Sequence, residues 1–161
     1  MNALVVYFSK FGHTQVIAEA VAGTLADHAD INTISCDQLT VSDLKNAELV
    51  VMGTPTHNMN LPKAVQPVFE ELPKRILPGT PVATFDTSYK MSTILARFTA
   101  AKRLARKLHQ LGGKRIIPAE SFYVVGREGP LYDGEIERTQ KWANAILLKL
   151  SSKNQVDHRP G

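Results

Sequence analysis

Residues 5–21, VVYFSKFGHTQVIAEAV, set two hydroxyls and a glycine between an apolar run and a helical pattern. Ser9 and Thr14 bracket Gly12 in the loop SKFGHT, and Thr14 stands where the helical spacing begins. The first N–H groups of a helix lack intrahelical acceptors and sit at the positive end of its dipole, so such a loop favours an anion. Ser9 and Thr14 add hydroxyl donors. The same hydroxyls could instead cap a tight turn, so the loop alone reads as an anion site or as a capped helix start. Two further loops carry polar groups after apolar runs: GTPTHN at 53–58 and FDTSY at 85–89.

The anion is narrowed by what is missing. The Gly-Lys-Ser/Thr ending of a nucleoside-triphosphate loop is absent, and so is the three-glycine dinucleotide fingerprint. A phosphorylated receiver domain needs an aspartate at the end of the third strand, where this chain has VVMGT. A low-molecular-weight phosphatase needs a cysteine in the first loop, and the one cysteine is Cys36. His13, His28, His57, His109 and His158 show no metal-ligand spacing, so no metal site is expected. No nucleophile pairs with a base, and no catalytic side chain is assigned. Cys36 on a strand reads as a small buried residue, and Trp142 as a packing residue.

The loops need elements to hold them. ALVVYF at 3–8 and ELVVMGT at 48–54 are continuous apolar runs, the pattern of strands buried on both faces. INTISC at 31–36 and PVATFD at 81–86 supply two more strands, and KRIIP with ESFYVVG a fifth, interrupted at Pro118. Between them, helices are expected over 14–28, 40–47, 62–72 and Ser92 to Leu111, with a last one from Asp133 through Trp142 to Leu150. Ile94, Phe98, Ala101, Ala105, Leu108 and Leu111 share one side of the fourth helix, and Gly112 and Gly113 stop it. Strands alternating with helices predict a parallel sheet covered on both faces. Ligands of such sheets bind outside the carboxyl ends of the strands, which selects loops 9–14, 54–61 and 86–92.

The chain has 161 residues, 43% hydrophobic and 21% charged, with net charge +4. That suits one globular domain over 1–150, with a polar tail at 151–161 expected to be disordered. No segment approaches the roughly 20 apolar residues of a membrane span. A signal peptide is not evident, and one cysteine forms no internal disulfide, so a cytoplasmic location is expected.

Taken together, the three loops resemble the flavodoxin family. The first matches its phosphate-loop pattern at Tyr7, Ser9, Gly12, Thr14, Ala18 and Val21. GTPTHN looks like the isoalloxazine loop, and FDTSY resembles the Asp-x-Ser-Tyr segment whose tyrosine stacks on the flavin. The resemblance implies a three-layer α/β, doubly wound fold with a five-stranded parallel sheet in the order 2-1-3-4-5, of the short-chain type. It also implies FMN as cofactor. Ser9, Lys10, Phe11, Gly12, His13 and Thr14 would cradle its 5′-phosphate. Thr54, Pro55, Thr56, His57 and Asn58 would follow one edge and face of the ring. Phe85 and Asp86 would meet the pyrimidine edge, and Tyr89 would stack on the opposite face.

Some residues depart from that pattern. Asn58 replaces a glycine, which makes a flip of its peptide costlier. Phe85 replaces a small residue, while Lys10 and His13 add basic groups to the first loop. The family's electron carriers are strongly acidic, whereas this chain is basic. Lys102, Arg103, Arg106 and Lys107 share one arc of the fourth helix, readable as a solvated face or as a patch for an acidic partner. Nucleic acid is disfavoured because no aromatic residues interleave with the arc. The function expected is electron transfer between redox partner proteins, a reductase and an acceptor. The alternatives are an FMN-dependent NAD(P)H:quinone-type reductase and a non-redox binding module.

Overall fold

The computed structural model describes residues 1–57, 60–90 and 99–157. Strands β1 (Asn2–Tyr7), β2 (Asp30–Ser35), β3 (Leu49–Pro55) and β4 (Pro81–Ser88) form a parallel sheet in the order β2-β1-β3-β4-β5. Its last edge is shared. β5 (Lys114–Arg115) pairs with Pro81 and Val82, and β6 (Glu120–Tyr123) pairs with Phe85 to Ser88 of the same strand. The fifth strand is therefore one position in the sheet, broken around Pro118 as the sequence predicts. Proline cannot donate to a ladder, which is the reason for the break.

Alternation along the strands divides the core between the two faces of the sheet. Leu4, Val6, Val50, Met52 and Val82 point to the face covered by α2 (Val41–Asn46), α3 (Gln66–Glu70) and α4 (Ala100–Gln110). Ala3, Val5, Val51, Ala83 and Phe85 point to the other face, against α1 (His13–Leu25) and α5 (Glu135–Asp157). With both faces covered, β1 and β3 present apolar residues to each face, which is why these two segments read as unbroken apolar runs.

Phe85 belongs to this core. It is 0% exposed, and its ring centroid lies 6.0 Å from those of both Phe122 and Trp142. It fills the space left by Gly53, where an added Cβ would meet the Phe85 ring at 2.0 Å. Phe85 was expected at the flavin's pyrimidine edge. The structure places it under the sheet because odd-numbered β4 residues face α5.

The elements differ from expectation at three ends. α3 begins at Gln66, with Pro62 in the turn that precedes it. The fourth helix is described from Ala100 onward, and Ile94 and Phe98 lie outside the described residues. α5 continues through Leu150 to Asp157, so residues expected in a disordered tail are helical that far. No glycine or proline interrupts 151–157, and the Ser151 and Ser152 hydroxyls donate to the Leu147 and Leu148 carbonyls.

Candidate functional site

The carboxyl ends of β1, β3 and β4 open into a cavity of about 550 Å³. Ser9, Lys10, Phe11, His13 and Thr14 line it from the first loop, and Pro55, Thr56 and His57 from the second. Thr87, Ser88 and Tyr89 come from the end of β4, and Val124 and Arg127 from the loop after β6. The cavity gathers the loops the sequence selected and adds a fourth.

The first loop is shaped by Gly12. Its φ of +91° lies in the left-handed region, which a residue with a Cβ enters at a cost, and it stands at the N-cap of α1. The Ser9 hydroxyl accepts the Gly12 N–H at 3.0 Å, closing the turn. No side chain caps α1, so the amides of its first turn stay available to an incoming anion. The capped turn that the sequence left open as a reading is formed by Ser9, while the helix itself carries no side-chain cap.

Thr14 and His13 hold this loop to its neighbours. Thr14 Oγ1 lies 2.8 Å from Thr87 Oγ1, a buried hydroxyl pair between α1 and β4. The His13 ring bonds the Glu128 carbonyl through Nε2 at 2.7 Å. It also packs on Gly129, where a Cβ would come within 2.2 Å of the ring. His13 thus ties the first loop to the segment carrying Arg127.

In the second loop His57 and Asn60 exchange backbone hydrogen bonds of 2.9 and 2.8 Å. Asn58, assigned to the flavin by resemblance, lies outside the described residues. Thr56 bonds in two directions: its N–H to the Thr87 carbonyl at 3.0 Å, and its hydroxyl from the Ala100 N–H at 3.0 Å. Thr54 is buried within β3 and does not line the cavity.

Asp86 also lies away from the cavity. β4 runs on to Ser88, so Asp86 is mid-strand and its backbone is engaged between β3 and β6. Its side chain points to the opposite face of the sheet from Phe85 and accepts the Ala101 N–H at 2.9 Å, capping α4. Burial pushes this carboxyl up from its ordinary range, against the Ala101 amide and the hydroxyls of Ser121, Thr56 and Thr99. The strand's true end brings Thr87 and Ser88 to the cavity instead. Sequence reading placed that end at Asp86 and so passed over both. Arg127 was missed because its loop carries no motif; its signal is a basic residue after the fifth strand position.

The donor set fits FMN. An open helix end with flanking hydroxyls suits a phosphate. Tyr89, 49% exposed, and His57 line the same cavity. Ser88 lines the cavity, and its buried Oγ meets no hydrogen-bond partner among the described residues. Lys10, His13, His57 and Arg127 line the cavity and no carboxylate does, among the described residues. No group of three or more metal-ligating side chains is assembled among them either.

Comparison with known proteins agrees with this fold. A flavodoxin from the domain Archaea superposes with a TM-score of 0.76 at 21% identity, covering 94% of this chain and 99% of that one. The Streptococcus pneumoniae TIGR4 flavodoxin gives 0.74 at 20% identity, over 92% and 99% of the two chains. Flavodoxin 2 from Bacillus cereus gives 0.76 at 18%, again over 92% and 99%. No curated protein matches the chain by sequence. The family model for the flavodoxin domain matches residues 4–122. The chain belongs to the flavodoxin domain family, FMN-binding electron-transfer proteins.

Proposed function

We propose that this protein is a carrier that accepts electrons from a reductase and passes them to an acceptor protein, with no side chain acting as a catalyst. The observation that carries this reading is the uncapped start of α1 opening into one cavity with Thr56, His57, Ser88 and Tyr89. Bound FMN supplies the redox chemistry. The protein's share is binding and electrostatics. The first turn of α1, with Ser9 and Thr14, would hold the phosphate, and Lys10 would balance its charge. Tyr89 and His57 would fix the ring between them. Arg127 would supply a positive charge at the rim.

The short loops of the sequence leave little chain from which to build a nicotinamide site. The β6–α5 connection is drawn onto the first loop by His13. Anaerobic reduction with and without NAD(P)H tests the reading. A flavin-loaded protein reduced by dithionite, and only slowly by NAD(P)H, supports a carrier. Rapid turnover of NAD(P)H with a quinone by this protein alone would make it a reductase.

A further inference from the structure

A second concave surface lies between α4 and the interrupted sheet edge, with a volume of about 480 Å³. Lys102, Arg106 and His109 line one wall, and Arg115 of β5 lines the other. The first three are spaced i, i+4, i+7, which places them on one stripe of the helix, and all four are exposed. Ala105, Pro118 and Ala119 complete the groove, and no carboxylate lines it. None of Lys102, Arg106 and Arg115 is neutralised from elsewhere: the ion pairs among the described residues both belong to Arg138. The arc expected from the sequence is thereby redrawn. Arg103 and Lys107 fall off the groove, while His109 and Arg115 join it.

We propose that this groove is the docking site for an extended, acidic segment of a partner protein. Its length favours a chain over a compact anion. Lys102 to His109 rises about 10 Å along the helix at 1.5 Å per residue, so the charges form a row and do not converge on a point. Among the described residues no aromatic side chain lines the groove to stack a base, which disfavours nucleic acid. Ala105, Pro118 and Ala119 offer a small apolar floor that suits the stem of a Glu or Asp side chain between the cations.

The groove is also fixed relative to the cofactor cavity. The Ala100 amide bonds Thr56, which lines that cavity, and the Ala101 amide bonds Asp86 beneath it. A partner seated on α4 is therefore held in register with Thr56. That the partner is a redox protein rests on the carrier reading; that the segment is acidic does not.

The test uses the full FMN-loaded chain and a fluorescein-labelled peptide alternating Glu with Ser, followed by anisotropy at low and moderate salt. Binding should weaken at least tenfold in K102E/R115E and fall steeply with salt. The pair K141E/K149E, an equal charge change on exposed positions of α5, should stay within twofold of the parent. Equal loss in both pairs would mean diffuse attraction and overturn the groove, as would no binding by the parent. Tripolyphosphate or a DNA duplex binding the groove more tightly than the peptide would also overturn it. Flavin absorbance of each variant reports FMN loading separately. Lost FMN uptake with intact peptide binding would contradict the carrier reading and leave the groove standing.

Discussion

Thr14 Oγ1 and Thr87 Oγ1 meet at 2.8 Å, and this buried contact joins the first turn of α1 to the end of β4. It couples the phosphate loop to the strand end that presents Ser88 and Tyr89. Both residues are nearly buried, Thr14 2% exposed and Thr87 5%, and each hydroxyl is the other's hydrogen-bond partner. Replacing one by valine leaves its partner unsatisfied at a cost of about 1–3 kcal/mol, whereas replacing both conserves shape and removes both polar groups. Thr14→Val and Thr87→Val are expected to lose that much stability singly. The double variant should lose less than their sum. Urea denaturation of all three, read as a double-mutant cycle, measures the difference.

The positive lining of the cavity predicts an unusual redox balance. Lys10 and Arg127 both face it, and a positive charge stabilises an anionic reduced flavin more than a neutral oxidised one. Arg127→Ala should therefore weaken reduced FMN about tenfold more than oxidised FMN. For a one-electron couple that ratio corresponds to a fall of about 59 mV. Spectroelectrochemical titration of the second reduction step reads it directly. An unchanged potential, or a parent couple as low as that of an acidic carrier, would contradict the field argued here.

Asp86 gives a pH signature of known sign. Burial raises its carboxyl above the 3.8 of an unfolded aspartate, so the folded state favours the neutral form. Its contribution to stability is full below that value and is lost as pH rises through the folded pKa. Asp86→Asn retains an oxygen to accept the Ala101 N–H and has no charge to bury. Its stability should exceed the parent's at neutral pH and converge on it in acid. Asp86→Ala leaves the amide uncapped and should cost about 1–2 kcal/mol. Thermal melts between pH 3 and 8 separate the three proteins.

Cys36 is predicted to be inert. Burial, aided by the negative charge of Asp37, pushes its thiol up to about 11. The thiolate is the reactive species, so iodoacetamide at pH 8 should alkylate the folded protein very slowly. Adding urea through the unfolding transition should restore the rate of a free thiol. Mass spectrometry of the alkylated chain follows both.

The parts of the fold that were legible in the sequence are those that follow from periodicity and punctuation. Apolar runs marked β1 and β3, Gly112 and Gly113 marked the end of α4, and Pro118 marked the break between β5 and β6. The strand order was legible only through resemblance. What escaped depended on where a strand stops. Thr87 and Ser88 are polar, so FDTSY read as a loop from Asp86 onward. Yet β6 pairs with both residues and carries β4 two positions further. That shift accounts for the misplacement of Phe85 and Asp86 and for the omission of Thr87 and Ser88. Arg127 was illegible for another reason: its place is set by the His13–Glu128 contact, between residues 115 apart in sequence.

The phosphate loop remains the centre of the account, and comparing FMN with riboflavin tests it most directly. The two flavins share the ring and the ribityl chain and differ only in the phosphate. Titration of the flavin-free chain, followed by flavin fluorescence, should show one FMN bound per chain. Riboflavin should bind at least a hundredfold more weakly, a loss of about 2.7 kcal/mol or more. Equal affinities for the two flavins, or no uptake of FMN, would contradict the assignment of the uncapped α1 end to the cofactor's phosphate.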